Sequence, residues 1–184
     1  MASRIRPLTP GDMSVEQREL YDAITGGPRA QGPPHFALTA ADGALRGPFD
    51  EMLRSPAVGA AQQELGAAIR YRTGFTDRMR ELAILLVAAH WDSAFERESH
   101  EAIARSLGFE PTELTAIRAL DVSAFAGDER TVATTVVALL DGDLPDEAWD
   151  AASAVIGVDG VFELTALVGY YSTLALQLRV FRVE

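Results

Sequence analysis

Residues 80–100 read RELAILLVAAHWDSAFERESH, and this stretch decides how the rest of the chain is read. From Leu82 to Ala89 every residue is apolar, so a helix here has no face for water and belongs at the centre of a helical fold. Thr76 supplies its N-cap, and it runs to about His90. Asp92-Ser93 breaks it, and Ser93 followed by Glu96 reads as a capping box opening a second helix that ends at Gly108. On that second helix Glu96, His100, Ile103 and Leu107 form one stripe at helical spacing. Arg97, Glu101 and Arg105 form the opposite stripe, which is expected to face water.

Helical punctuation continues on both sides. Upstream, Ser14 with Gln17 makes a capping box, and Gly26-Gly27 stops that first helix. Gly26 to Pro48, rich in Gly and Pro and containing Pro33-Pro34-His35, is the one long irregular stretch, of the length used for lids and binding loops. Pro48 opens a short helix ending near Arg54. Ser55-Pro56 opens another that Gly74 ends, with Val58, Ala61, Leu65, Ala68 and Ile69 as its expected apolar face. Downstream, Pro111 starts a short helix, Asp128 caps one running through Leu140, Pro145 begins one ending at Gly157, and the last runs from about Gly160 to near Arg179. No segment alternates with period two, so no sheet is expected. The fold class is all-α, a multi-helix bundle in a single domain over residues 1–184, of which 1–44 form an N-terminal helix plus the Pro/Gly-rich loop.

The totals restrict the function. The chain has 184 residues, 48% of them apolar and 23% charged, an ordinary globular composition. A net charge of −11 argues against nucleic acid and against an anionic membrane surface as partners. The apolar run Leu164 to Leu176 is too short to span a bilayer and reads as a buried helix. Met1-Ala2-Ser3-Arg4-Ile5-Arg6 has no apolar stretch after its basic residues, so a cytoplasmic location is expected. Zero cysteines removes disulfides, thiolate metal sites and peroxidatic sulfur together.

The candidate chemistry follows from the inward stripe. Glu81 stands among apolar neighbours, with Ile84, Leu85 and Ala88 on its own face, and Glu96 and His100 point the same way, toward the core. A carboxylate and an imidazole buried together can share a proton near neutral pH. Structural readings stand beside this one. Glu96 completes the capping box with Ser93; Glu81 anchors Arg78 or Arg54 in a salt bridge; an inward His100 is more often a satisfied core histidine than a catalyst. Glu81, Glu96 and His100 lack the paired spacing of a metal motif, so no metal is expected.

A Glu inside an apolar helix, then an aromatic-Glu pair, then a His four residues after that Glu resembles the carboxymuconolactone decarboxylase family, which includes the alkyl-hydroperoxidase D-like proteins. LRGPFDEMLRSP (Leu45 to Pro56) resembles the segment before the family's central helices, and FELTALVGYYS (Phe162 to Ser172) its closing helix. The peroxidase branch carries Cys-x-x-Cys where this chain has Ser93 and Glu96, so peroxidase activity is not expected. Glu81 and His100 match the family's proton-relay positions. Phe95-Glu96 matches the aromatic-Glu pair of the cysteine-free branch, with Arg97 where that branch often has Trp.

What the resemblance implies is an all-α bundle associating through its helices as a dimer, trimer or hexamer. The implied enzyme is a cofactor-free lyase of aromatic degradation, acting on a small lactone or unsaturated carboxylic acid. In that role His100 is the general acid, Glu81 orients it or relays protons, and Glu96 is a second acid/base or substrate contact. Trp91, Phe95 and Tyr171 are expected to line the substrate site, with His35 entering from the loop. The same groups would serve an isomerase or hydratase. The rival from another class is a non-catalytic oligomeric or small-ligand-binding protein that kept the fold without the chemistry.

Overall fold

The computed structural model describes residues 3–27 and 37–183; among them the regular elements are helices, with one isolated antiparallel bridge between Thr39 and Leu45. Eight α-helices follow in order: α1 (Val15–Thr25), α2 (Pro48–Met52), α3 (Pro56–Tyr71), α4 (Asp77–His90), α5 (Ala94–Ser106), α6 (Pro111–Arg118), α7 (Gly127–Leu140) and α8 (Asp146–Phe181). Two single 3₁₀ turns lie at Pro10–Asp12 and Val122–Ala124. The chain groups into two compact units. The described residues up to Ala68 together with those from Leu176 form one, and Ile69–Ala175 forms the other.

In the first unit, α1 starts where the sequence places it. The Ser14 hydroxyl accepts from the Gln17 amide and the Gln17 side chain accepts from the Ser14 amide, closing a capping box. The described part of the irregular stretch is a tight turn. Ala40 N donates to Ala44 O, Arg46 N donates to Leu38 O, and Gly43 at φ 84° makes the reversal. Beyond it, Asp50 on α2 is buried. Its carboxylate accepts from the Leu8 amide at 2.8 Å and from Arg54 at 2.5 Å, fastening the N-terminal segment to α2.

Of the expected apolar face of α3, Ile69 is buried, but Val58, Ala61 and Leu65 are exposed. Val58 and Leu65 are 63% and 45% exposed, and the buried positions are Gly59, Gly66 and Ile69. At Gly59 the reason is backbone proximity: a Cβ there would sit 2.2 Å from the Met52 carbonyl oxygen, so this position has no room for a side chain.

The second unit is built around α4. Its residues Glu81 to Ala88 are all buried, and it packs against α5, α6 and α7. Thr76 caps it by accepting from the Met79 amide. Arg78, in its first turn, binds Glu113 of α6 and Glu129 of α7, each at 2.7 Å, and lies 3.9 Å over the Phe109 ring. One guanidinium thus joins three helices. The expected break at Gly157 is present inside α8, where that residue has φ 71° and ψ 169° and the helix is interrupted.

Two further expectations meet the structure here. The apolar run from Leu164 lies after the Gly157 interruption of α8; α8 as a whole is long and apolar enough to cross a membrane by length and composition, and 33% of its most apolar window is buried. Leu164, Leu167, Tyr170, Tyr171 and Leu174 face inward, while Phe162 is 75% and Val158 61% exposed. Glu101, expected in water, is buried on α5 instead: it accepts from Arg105 at 2.7 Å and from Arg118 of α6 at 2.6 and 2.7 Å. Arg118 reaches from α6 to Glu101, while Arg97 and Arg105 of the same stripe keep exposed side-chain surface, as expected.

Candidate active site

Helices α4 and α5 are joined by the turn Trp91-Asp92-Ser93, in which Asp92 takes a left-handed conformation at φ 48°. That reversal lays the two helices against each other and sets Glu81 beside His100. The His100 Nδ1 lies 2.6 Å from Glu81 Oε2, and its Nε2 lies 3.4 Å from Glu96 Oε2, one turn back on its own helix. All three side chains are buried. The capping-box reading of Glu96 fails: Ser93 is the N-cap of α5 but makes no side-chain cap bond, and the Glu96 carboxylate turns to the histidine instead.

Glu81 does not pair with Arg78 or Arg54, whose partners are Glu113, Glu129 and Asp50. Its second oxygen lies 3.4 Å from Arg70, near the end of α3. Arg70 was not picked out from the sequence. The signal was the phase of α3: once Gly66 and Ile69 are taken as the inward positions, Arg70 falls beside them. Tyr171 of α8 stands edge-on to the His100 ring with centroids 5.4 Å apart, and Tyr170 stands edge-on to Tyr171 at 5.2 Å. Of the expected lining residues, Tyr171 is therefore in ring contact with the histidine. Trp91 and Phe95 are half-buried in and after the α4–α5 turn, and His35 lies outside the described residues.

The electrostatics follow from burial and charge. Burial alone would depress the His100 imidazolium, but the charge and hydrogen bond of Glu81, with Glu96 behind them, raise its pKa to about 9. Burial likewise pushes the Glu81 carboxyl up, and the His100 charge and hydrogen bond, then Arg70 and Arg80, bring it below the ordinary range. At neutral pH His100 is therefore an imidazolium held by the Glu81 carboxylate, with Arg70 beside Glu81 and Glu96 facing the other ring nitrogen. Such an arrangement can store a proton and exchange it with a group that touches it. Two clefts open elsewhere, in the first unit. One of about 660 Å³ lies between α1 and the start of α3, and one of about 300 Å³ beside Leu45, Arg46 and Arg182; neither is lined by the cluster.

No family profile matches this sequence, and no curated protein resembles it closely in sequence. Solved structures do resemble it. An alkylhydroperoxidase AhpD core protein from Ralstonia eutropha, an uncharacterized peroxidase-related protein, superimposes with a TM-score of 0.76 at 12% identity, covering 99% of this chain and 91% of its own. A cysteine-to-alanine variant of the debrominase Bmp8, in complex with 2,3,4-tribromopyrrole, gives 0.72 at 13% identity over 100% of this chain and 92% of its own. The apo debrominase gives 0.67 at 15% identity over 97% and 89%. At these identities the likeness concerns architecture, and it is consistent across these structures: the chain has the AhpD-like all-helical fold.

Proposed function

We propose that the protein is a cofactor-free acid–base enzyme of the carboxymuconolactone decarboxylase-like kind, acting on a small lactone or unsaturated carboxylic acid. The observation that carries this reading is the buried imidazole with a carboxylate at each ring nitrogen, 2.6 and 3.4 Å away. Loss of carbon dioxide from an unsaturated lactone leaves an extended enolate that the ring carbonyl can hold. The protein then has to orient the substrate, stabilise developing negative charge and return a proton to carbon. An imidazolium with a pKa of about 9 is a proton store for that last step. Glu81 fixes the ring, and Arg70 supports Glu81. Thiol chemistry is not available, because the chain has no cysteine. A debrominase of the same fold is seen with tribromopyrrole, which supports a small cyclic ligand here.

Assembly through helices, which the resemblance implies, is supported by the uncharged exposed side chains Val158 and Phe162 of α8. The rival reading, a non-catalytic binding protein, draws on the cleft of about 660 Å³ bordered by Leu20, Ala23 and Ala57, apart from the acid–histidine cluster. An ultraviolet assay of 4-carboxymuconolactone turnover separates the two. The wild type is expected to consume the lactone, and His100→Gln to lose roughly 100-fold or more in rate. A wild type that leaves the lactone untouched refutes the decarboxylase reading.

A further inference from the structure

An imidazole has two nitrogens, and at His100 a carboxylate faces each of them: Glu81 at Nδ1 and Glu96 at Nε2. Nδ1 is hydrogen-bonded to Glu81, whereas Nε2 stands at ion-pair distance from Glu96, which lies between the ring and whatever else enters the cluster. The open position in the cluster is elsewhere. Glu81 has both oxygens engaged, one with His100 and one with Arg70. Glu96 has one oxygen toward His100, while the other, Oε1, is buried and has no hydrogen-bond partner among the described residues. A buried carboxylate oxygen without a donor is costly, so this atom calls for a donor beyond the described residues.

We infer that Glu96, and not His100, is the catalytic residue that touches the reacting atom, with His100 as the proton source behind it and Glu81 and Arg70 as positioning residues. This rests on the acid–base reading of the cluster. It also names what docks at Oε1: a neutral O–H or an N–H that donates to the carboxylate, or, once Glu96 carries the His100 proton, the enolate carbon that accepts it. A carboxylate group is repelled there. In the lactone, the carbon that gains hydrogen faces Glu96, and the departing carboxylate points away from it.

The step balances without a redox change. The C–CO₂⁻ bond breaks, carbon dioxide leaves, and the electron pair stays on the substrate as the enolate. The Nε2–H bond of His100 breaks as an O–H bond forms at Glu96 Oε2. A half-turn of the carboxyl group presents that proton to the substrate, the O–H bond breaks, and a C–H bond forms. His100, now neutral, takes a proton from water.

Two measurements test the assignment. In the lactone assay, Glu96→Ala is expected to lose at least 100-fold in rate and to recover at least tenfold of it in added formate, which supplies the missing carboxyl. His100→Gln is expected to gain nothing from formate. The second measurement needs no substrate: with ¹⁵N-labelled histidine, NMR reads how fast each imidazole N–H of His100 exchanges with water. Nε2–H is expected to exchange at least tenfold faster than Nδ1–H, and Glu96→Gln to abolish the difference. Turnover that survives Glu96→Ala, or a loss that formate does not restore, overturns this inference while leaving the decarboxylase reading in place. A wild type with no turnover but with the NMR difference refutes the lactone as substrate and keeps Glu96 as the exit. Equal exchange rates at the two nitrogens overturn the inference whatever the assay shows.

Discussion

The contact between His100 and Glu81 makes stability depend on pH in a defined window. The imidazolium has a pKa of about 9 in the folded protein, against 6.5 for an unperturbed histidine. A raised folded-state pKa means that the native state holds the proton more tightly than the unfolded chain. The stabilisation is therefore complete below pH 6.5 and is lost as the pH rises through 9. At about 1.4 kcal/mol for each pH unit, the shift corresponds to about 3 kcal/mol. For a chain of this size that is a fall in melting temperature of roughly 10 °C across the window. His100→Gln removes the titrating group and leaves Glu81 buried with Arg70 at 3.4 Å. The variant is expected to be less stable than wild type by about 3 kcal/mol on the acid side of the window and to approach it at the alkaline end. Urea unfolding followed by circular dichroism, repeated at steps from about pH 6 to pH 10, reads both curves. A flat wild-type curve, or a His100→Gln curve with the same slope, shows that the imidazole is not held as an ion by its carboxylates.

Glu81→Gln acts on the other limb. The Glu81 carboxyl lies below its ordinary value of 4.5, so its contribution is present above that pH and is lost as the pH falls through the folded value. The variant is expected to lose that acid dependence and to bring the His100 pKa back toward 6.5, read by an NMR titration of the ring protons. Gly59→Ala drives a Cβ to 2.2 Å from the Met52 carbonyl oxygen and 2.9 Å from a Leu20 methyl group, so a loss of about 2 kcal/mol is expected in urea unfolding. Gly169→Ala is the contrasting case: nothing lies within 4 Å of its Cβ and the site is mid-helix, so a gain of about 1 kcal/mol is expected. Arg118→Ala takes two hydrogen bonds from Glu101 and leaves it to Arg105, and because Arg118 is half exposed the expected cost is only about 1 kcal/mol.

What was legible in the sequence was whatever announces itself locally. The Ser14–Gln17 capping box, the Thr76 cap, the prolines opening α2, α3 and α6, and the break at Gly157 all depend on a few adjacent residues, and each is where the spacing puts it. The all-apolar run of α4 could only be central, because no face of it is polar. What was not legible depends on partners distant in the chain. On α3 the large apolar residues suggested one face, yet Gly59 and Gly66 are buried, and at Gly59 close approach to the Met52 carbonyl leaves no room for a side chain. That misplaced phase also hid Arg70, so Glu81 was assigned the wrong possible arginines. Glu96 matched a capping box in spacing, but a buried imidazole one turn along the helix competes for the same carboxylate more strongly than a backbone amide does.

Helix α5 carries two buried carboxylates, Glu96 and Glu101, and burial alone does not say which one does chemistry. Their remaining valence does. Glu101 accepts from two guanidinium groups, which arginine cannot give up as free protons near neutral pH, so nothing there can move a proton. Its ion pairs join α5 to α6, and that is a mechanical task. Glu96 has as its partner a histidine, a side chain that can lose its proton, and keeps a second oxygen without a donor among the described residues. A fold under purely structural demand would close that position with an arginine, as it does five residues later, or fill it with an apolar side chain. An open, buried oxygen backed by a proton store is costly for stability and useful for transfer. That difference between two glutamates on one helix is the strongest physical ground for placing the reaction at Glu96.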